Sequence, residues 1–453
     1  MGEIKISLKN EHLSNDLNQL RSAFLLKKNP QNILDALSCV TTENYNLGEL
    51  IAYYENESIC YAYIDLLGAL LNLDNGKYAE RFISILDNKN NYGESFGKLI
   101  AKRKDTLTLR RYLCLFQHLL ILNGGKFAEQ VFNMLSHVDC DGKSFSHTIV
   151  NSQDLVKQYI NFFESILNIN NGKYAERVCS VILDYESFYQ RNFIDLMDRN
   201  KGPIIFKLYV NLLDNILNIG NGKHVEEICK MLNKKQFIEQ ICMMLAKIKI
   251  LDKNQFGEQY FKTFILSKEI KDEYEAACQR YFKLLDKILS QDSKNFAEQV
   301  CNMLNKTSYY MSIGKIISYH KGDITCKLYF GLLDKILNTN NEKHVARVFE
   351  MLNYEGFYCG IDSHVSHTIA INQSAAICQI YLKLLGKIFY SDKEEYAAQI
   401  FRIFNNKNSD DLKLEDAITK YQDTATCELY ADLANRVSAC SAREPKRALK
   451  YEI

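Results

Sequence analysis

Tyr209-Val210-Asn211-Leu212-Leu213-Asp214-Asn215-Ile216-Leu217-Asn218 leads through Ile219-Gly220-Asn221-Gly222-Lys223-His224 into Val225-Glu226-Glu227-Ile228-Cys229-Lys230-Met231-Leu232, and this phrase recurs along the chain. Tyr209, Leu212, Leu213, Ile216 and Leu217 fall on one apolar stripe of a 3.6-residue helix, here named helix A. Tyr63, Leu66, Leu67, Leu70 and Leu71 repeat the stripe, as do Tyr329, Leu332, Leu333, Ile336 and Leu337. The anchor tyrosines Tyr63, Tyr112, Tyr159, Tyr209, Tyr281, Tyr329 and Tyr381 are 49, 47, 50, 72, 48 and 52 residues apart by subtraction. A near-fixed period of this length is the signature of stacked supersecondary units. The expectation is an all-α chain, an α-solenoid of roughly 8 to 9 helical repeats of about 47–52 residues with degenerate ends.

Helix A is followed by Asn75-Gly76-Lys77, Gly124-Gly125-Lys126, Asn171-Gly172-Lys173 and Asn221-Gly222-Lys223. Glycine closes a helix in the left-handed conformation, so a second helix, B, starts at once. Ala79, Phe82, Ile83 and Leu86 form its stripe in one copy and Ala128, Val131, Phe132 and Leu135 in the next. Glu80, Glu129, Glu176, Glu226 and Glu298 lie in its first turn, where the helix dipole favours a carboxylate. Variable stretches such as Ser95–Ile100 and Ser312–Ile317 leave room for a third, shorter helix.

The 72-residue gap breaks the rhythm. It holds Gln236-Phe237-Ile238-Glu239-Gln240-Ile241-Cys242 and Gln255-Phe256-Gly257-Glu258-Gln259-Tyr260-Phe261, both similar to helix B at Asn295–Cys301. The expected organisation is a degenerate N-terminal capping repeat over 1–62, with Pro30 placed to begin a helix, then a repeat block over 63–232. An irregular helical joint follows over 233–280, a second block over 281–426, and a degenerate C-terminal cap and tail over 427–453.

Hydrophobic residues make up 47% of the 453, enough for a long continuous core, and only three prolines interrupt it. Lys+Arg 56 against Asp+Glu 55 gives a net charge of +1, which supplies no field to gather a polyanion. No apolar run approaches the ~20 residues of a membrane span. Met1-Gly2-Glu3-Ile4-Lys5-Ile6-Ser7 lacks the apolar region of a signal peptide, so a cytoplasmic site is expected, in the producing cell or a host cell. Of the 14 cysteines, Cys179, Cys229 and Cys301 share a helix B position with Ile83, Phe132, Phe349 and Phe401, which marks them as core residues in a reducing compartment.

Cys359, Asp362, His364 and His367 carry ligand-type atoms within nine residues. Ser366-His367-Thr368-Ile369 recurs as Ser146-His147-Thr148-Ile149, however, which points to an inter-repeat turn and away from a metal or hydrolytic centre. Gly142-Lys143-Ser144 lacks the upstream glycine of a phosphate loop, and no dinucleotide or metalloprotease fingerprint occurs. No cofactor, metal or catalytic residue is expected.

Three columns recur in register. Lys77, Lys126, Lys173, Lys223 and Lys343 form the first, and Tyr78, Phe127, Tyr174, His224, Phe296, His344 and Tyr396 the second. Arg81, Gln130, Arg177, Gln299, Arg347 and Gln399 form the third, on helix B. The aromatic column suits packing between units. The basic and amide columns are solvated helix ends, or a ladder suited to an extended acidic peptide or a phosphate backbone. The partner-binding candidates are Lys77, Arg81, Lys126, Gln130, Lys173, Arg177, Lys223, Lys343 and Arg347.

Asn123–Val131 and Ile219–Ile228 resemble the Gly-Gly-Lys stretch of transcription-activator-like effector repeats, over about ten residues per unit. In that family the loop before Gly-Gly-Lys reads one base per repeat. Longer and unequal periods, together with the balanced charge, depart from a DNA wrapper. Nearly the whole chain is similar in layout to armadillo, HEAT and Pumilio-like α-solenoids, a resemblance that implies binding of extended partners. The leading expectation is a non-enzymatic scaffold or adaptor for a protein partner, such as an effector of an intracellular microbe. The alternatives are a nucleic-acid-binding helical repeat and an enzyme of unrecognised family. Stacked units predict a radius of gyration well above the ~22 Å of a compact domain of this length, to be read by small-angle scattering.

Overall fold

The tyrosine stripe and the Gly-Lys stop produce alternating helices throughout a computed structural model, which describes residues 6–9, 12–103, 105–136, 145, 149, 152–169, 173–178, 202–219, 222–252, 268–308, 311–320, 322–353, 355–358, 361–408 and 411–441. Among these the architecture is helical apart from two antiparallel ribbons, Thr307–Ser308 with Met311–Ser312 and Glu355–Tyr358 with Ile361–His364. The chain divides into two units, one of residues 1–199 and 215–224 and the other of 200–214 and 225–453. Cys179, the second B-like segment at 255–261, Ser146-His147-Thr148 and Cys359 lie outside the described residues.

In the first unit helix A recurs as Glu57–Leu71, Thr106–Ile121 and Gln153–Leu167, each packed against the next. Helix B appears as Ala79–Leu86, which packs on Pro30–Leu37, and as Ala128–Ser136. The third helix is present too. Helix C runs over Leu47–Tyr54 and Phe96–Arg103, and these two also pack together. Helices A and C thus lie against their own counterparts in the following repeat.

Rings make the core continuous. Tyr63, Phe96, Tyr112, Phe145 and Tyr159 form a chain with centroid spacings of 5.1, 5.7, 6.3 and 5.8 Å, in the range of favourable edge and tilted pairs. The anchor tyrosine lies on helix C at a glycine: a Cβ on Gly97 would sit 2.3 Å from the Tyr112 ring, and one on Gly48 would sit 2.5 Å from Tyr63. Gly125 closes helix A with φ of 87°, and a Cβ there would meet the Tyr174 hydroxyl at 1.8 Å.

The second unit stacks helix A as Lys268–Gln291, Asp323–Leu337, Ala375–Ser391 and Thr424–Ser441. Helix B is Val225–Leu232, Ser293–Asn305, Glu342–Leu352 and Lys393–Asn405, and helix C is Ile313–Tyr319, Val365–Asn372 and Leu414–Tyr421. The Gly-Lys stop is replaced here by side-chain caps. Asp292, Asn341 and Asp392 accept backbone N–H groups and start helix B earlier relative to its aromatic residue. Gln373 donates to the carbonyls of Ser318 at 2.9 Å and His320 at 2.6 Å, and Gln422 donates to Ala370 at 2.6 Å. The free carbonyls that end one helix C are thereby satisfied by the next repeat.

The irregular segment differs from its reading as a copy of helix B. Lys235–Asp252 is one 18-residue helix that packs on Ile313–Tyr319 and on Lys268–Gln291, which is the place of helix C. Phe237 stands 6.4 Å from Tyr209 and 5.8 Å from Tyr281, as Phe96 stands between Tyr63 and Tyr112. The glutamate, glutamine and aromatic residues that helices B and C share cannot tell them apart; the neighbours do. Phe401 also departs from its expected core place, being 36% exposed.

Replacing Leu333, fully buried, by Ala should cost about 2–5 kcal/mol in urea unfolding. Gly97→Ala should cost about 1–3 kcal/mol through overpacking, and Tyr112→Leu in the same chain should recover part of that loss.

Candidate functional site

The repeated basic column is engaged within the first unit. Lys126 reaches Glu80 at 2.6 Å, Lys223 reaches Glu176 at 3.3 Å, and Arg177 pairs with Glu129. Each cation comes from one repeat and each glutamate from the first turn of helix B in the repeat before. Arg81 pairs with Asp35 at 2.5 Å in the same sense, and in the second unit Arg347 pairs with Glu298 at 3.4 Å and Asn302 at 2.7 Å. Lys173 donates to the Gly124 carbonyl at 2.8 Å. Lys77, Lys126 and Lys173 also stand 5.5, 5.4 and 5.4 Å from the rings of Tyr78, Phe127 and Tyr174. Gln130 and Lys343 are exposed on helix B.

These pairs are solvent-facing, so each is weak and can be exchanged for an outside partner. Glu80, whose carboxyl is lowered by hydrogen bonding and charge from Lys126, shows the coupling. The aromatic column beneath is core: Phe127, Tyr174, His224, His344 and Tyr396 are all buried.

A second ladder, in the second unit, escaped the sequence reading. Lys287 meets Asp214 at 2.5 Å, Lys335 meets Asp286 at 2.6 Å, and Lys387 meets Asp334 at 2.5 Å. The acid stands five residues after one anchor tyrosine and the lysine six after the next, by subtraction, so the signal was available in the spacing.

Helix C contributes a third column. Glu49, Lys98, Lys315 and His367 are each buried and each stand fourteen residues before an anchor tyrosine, by subtraction. Glu49 accepts from the Asn46 N–H at 2.8 Å and the Asn88 amide at 2.7 Å through Oε2, and Oε1 has no partner. Burial pushes its carboxyl up to about 7 against those two hydrogen bonds. His367, expected in a turn, lies in the first helical turn and bonds through Nε2 to the Leu412 carbonyl at 3.1 Å. Among the described residues no three His, Cys, Asp or Glu side chains gather to hold a metal.

The cysteines follow the repeat as well. Cys60, Cys278, Cys326 and Cys378 stand three before an anchor tyrosine and are buried, as are Cys229 and Cys301 on helix B. Burial pushes the Cys229, Cys301 and Cys326 thiols up to about 12, so they are poor nucleophiles.

One cleft, of about 490 Å³, opens in the second unit between consecutive A–B turns. Leu337, Asn338 and Glu342 line one wall, and Lys387, Glu395 and Tyr396 the other. In the first unit the corresponding turns are closed by Tyr174, whose hydroxyl donates to the Leu120 carbonyl at 3.1 Å. No described helix is long and apolar enough to cross a membrane. No protein family, characterised protein or solved structure matches this chain.

Glu49 gives a pH test. Its carboxyl is held up in the folded chain, so the stabilising contribution is full below the ~4.3 of an unfolded glutamate and is lost as pH rises through about 7. His367 and His344 are pushed down by burial, so their contribution runs the other way, lost as pH falls. The stability difference between wild type and Glu49→Gln isolates the carboxyl. It should move by roughly 2 kcal/mol against wild type between pH 5 and pH 7 in urea unfolding, and should be flat above.

Proposed function

We propose that this chain is an α-solenoid of roughly 8 to 9 repeats that serves as a non-enzymatic scaffold or adaptor for an extended protein partner. The observation that carries the reading is the packing of helices A and C on their own counterparts in the next repeat, within each unit. Such packing copies surface side chains at a regular spacing, and a regular row of side chains suits a partner that is itself extended. Arg81 and Arg177 in the first unit, and Arg347 in the second, are held by exposed ion pairs weak enough to exchange. A net charge of +1 favours protein over nucleic acid, since a polyanion binder draws on a surplus of cations. Action in the cytoplasm, of the producing cell or of a host cell as an effector, is part of the same proposal.

Crosslinking in the native cell followed by mass spectrometry should identify a protein partner, and the purified partner segment should bind the purified chain. Changing Arg81, Arg177 and Arg347 together to Ala should weaken that complex by about tenfold with helicity unchanged. Tight, sequence-selective binding of DNA or RNA at physiological salt, with a salt slope flattened by changing Lys126, Lys173 and Lys223, would replace this reading by the nucleic-acid one.

A further inference from the structure

Five tyrosines are exposed among the described residues, and they divide by what covers them. Tyr390 and Tyr421 each carry a cation of this chain against the ring, Arg436 at 6.0 Å and Lys420 at 5.0 Å. Tyr53, Tyr54 and Tyr92 are more exposed still, at 57%, 54% and 59%, and no cation of the described residues lies over them. All three belong to one patch of the first unit. Tyr53 and Tyr54, at the end of the first helix C, meet edge to face at 4.8 Å, and Tyr53 stands 6.4 Å from Tyr45, just ahead of the same helix. Tyr92 reaches them from the turn before the next helix C. Burial first, and then Glu94, Tyr92, Tyr53 and Glu43, push the Tyr45 hydroxyl up, so these groups surround it.

Two turns from consecutive repeats carry the patch, and they are fastened to each other. Asn44, at φ of 65°, donates from Nδ2 to the Lys89 carbonyl at 2.5 Å, Asn88 returns a bond to the Asn44 carbonyl at 2.9 Å, and the Asn91 N–H donates to the Glu43 carbonyl at 3.3 Å. Asn90 Oδ1 accepts the N–H groups of Tyr92 and Glu94 at 2.9 and 3.0 Å, which fixes the turn that presents the Tyr92 ring. The rings are therefore held in place before anything binds. Ring faces carry negative potential, and edge-to-face packing leaves faces turned outward. The charge beside them has the same sign: Glu94 is neutralised by Lys102, whereas Glu43 is exposed and has no ion pair among the described residues. Fixed rings next to an unpaired carboxylate attract a cation and disfavour an acidic segment or a phosphate.

We propose that Tyr53, Tyr54 and Tyr92, together with Glu43, hold a lysine or arginine side chain of a protein partner against their ring faces. This rests on the scaffold reading and names a place and a chemistry for its contact on the first unit. Arg436 on Tyr390 and Lys420 on Tyr421 are the same contact made within the chain. The partner's alkyl stem covers the rings while its charged head stays near Glu43. The patch is open to solvent, so the contact weakens as salt rises.

The test uses the full chain and a short fluorescein-labelled peptide alternating Arg with Ser, read by anisotropy, beside the same peptide with citrulline for Arg. Citrulline keeps the shape and removes the charge, so the Arg peptide should bind about tenfold more tightly. The double variant Tyr53→Leu and Tyr92→Leu should weaken the Arg peptide about tenfold, whereas Tyr53→Phe with Tyr92→Phe should stay within about twofold, because the ring faces remain. Glu43→Gln should weaken it about threefold and flatten its salt dependence. If the Leu pair loses helicity by circular dichroism, Tyr92→Leu alone carries the comparison, with a loss of about threefold. Absence of Arg-peptide binding, equal binding of the citrulline peptide, or binding that ignores the Leu variants overturns the site. A Phe pair as weak as the Leu pair moves the contact from ring faces to hydroxyls and overturns it as well. A partner captured by crosslinking whose binding ignores the Leu variants removes the patch and leaves the scaffold reading. Arg-peptide binding lost in the Leu variants, with no protein partner in the cell, keeps the patch's cation chemistry and overturns both its assignment to a protein segment and the scaffold reading.

Discussion

The contact between the anchor tyrosine and helix C sets the rest of the architecture. Tyr112 lies so close to Gly97 that no side chain fits between them, and Tyr329 repeats the arrangement with its hydroxyl 2.7 Å from where a Cβ on Gly314 would lie. A ring this deep fixes the distance between helices A and C in its own repeat and, through Phe96, hands contact to the repeat on either side. Where glycine gives way to serine the same place is kept by polarity: hydrogen bonding from Ser366 opposes the burial that raises the Tyr381 hydroxyl. Cores built this way tolerate little change in volume at the junction, whereas the outward faces remain free to diverge.

Helices A and B were legible because their signals are local. A stripe of Tyr, Leu and Ile at helical spacing is decided by its own residues, and the Gly-Lys stop is decided by backbone conformation at Gly76, Gly125 and Gly222. Helix C was less legible because it is short and buried on most sides: over Leu47–Tyr54 six consecutive residues are buried, which leaves no amphipathic pattern to read. Lys235–Asp252 shows the limit, since its Phe-Ile-Glu-Gln string fits helix B by composition and only its packing on Ile313–Tyr319 places it in the helix C stack.

The candidate surface was half legible. The columns of Lys77 to Lys343 and Arg81 to Arg347 are visible in the spacing, but their partners are not, because an ion pair between repeats joins residues about one period apart. The first-turn glutamates were assigned to the helix dipole alone. Glu80, Glu129 and Glu176 stand there and also hold the next repeat's cation, so one residue serves two electrostatic roles. The Asp–Lys ladder of helix A and the cleft at Tyr396 depend on which repeats neighbour one another, a fact that no single repeat contains.

The two units solve the same stacking problem with different polar hardware, and this bears on where recognition is concentrated. The first uses glycine stops and pairs its turn lysines with glutamates, so its A–B edge is neutralised and closed by Tyr174. The second carries lysines on helix A, where Asp214, Asp286 and Asp334 pair with them, and caps helix B with Asp292, Asn341 and Asp392. Aligned on the aromatic residue, Ala346 and Ala398 stand where Glu129 and Glu176 stand in the first unit, and Glu395 stands in the place of Lys126 and Lys173. At the last A–B turn the lysine and glutamate of the first unit are thus replaced together, and Asp392 caps the helix where glycine closed the turn.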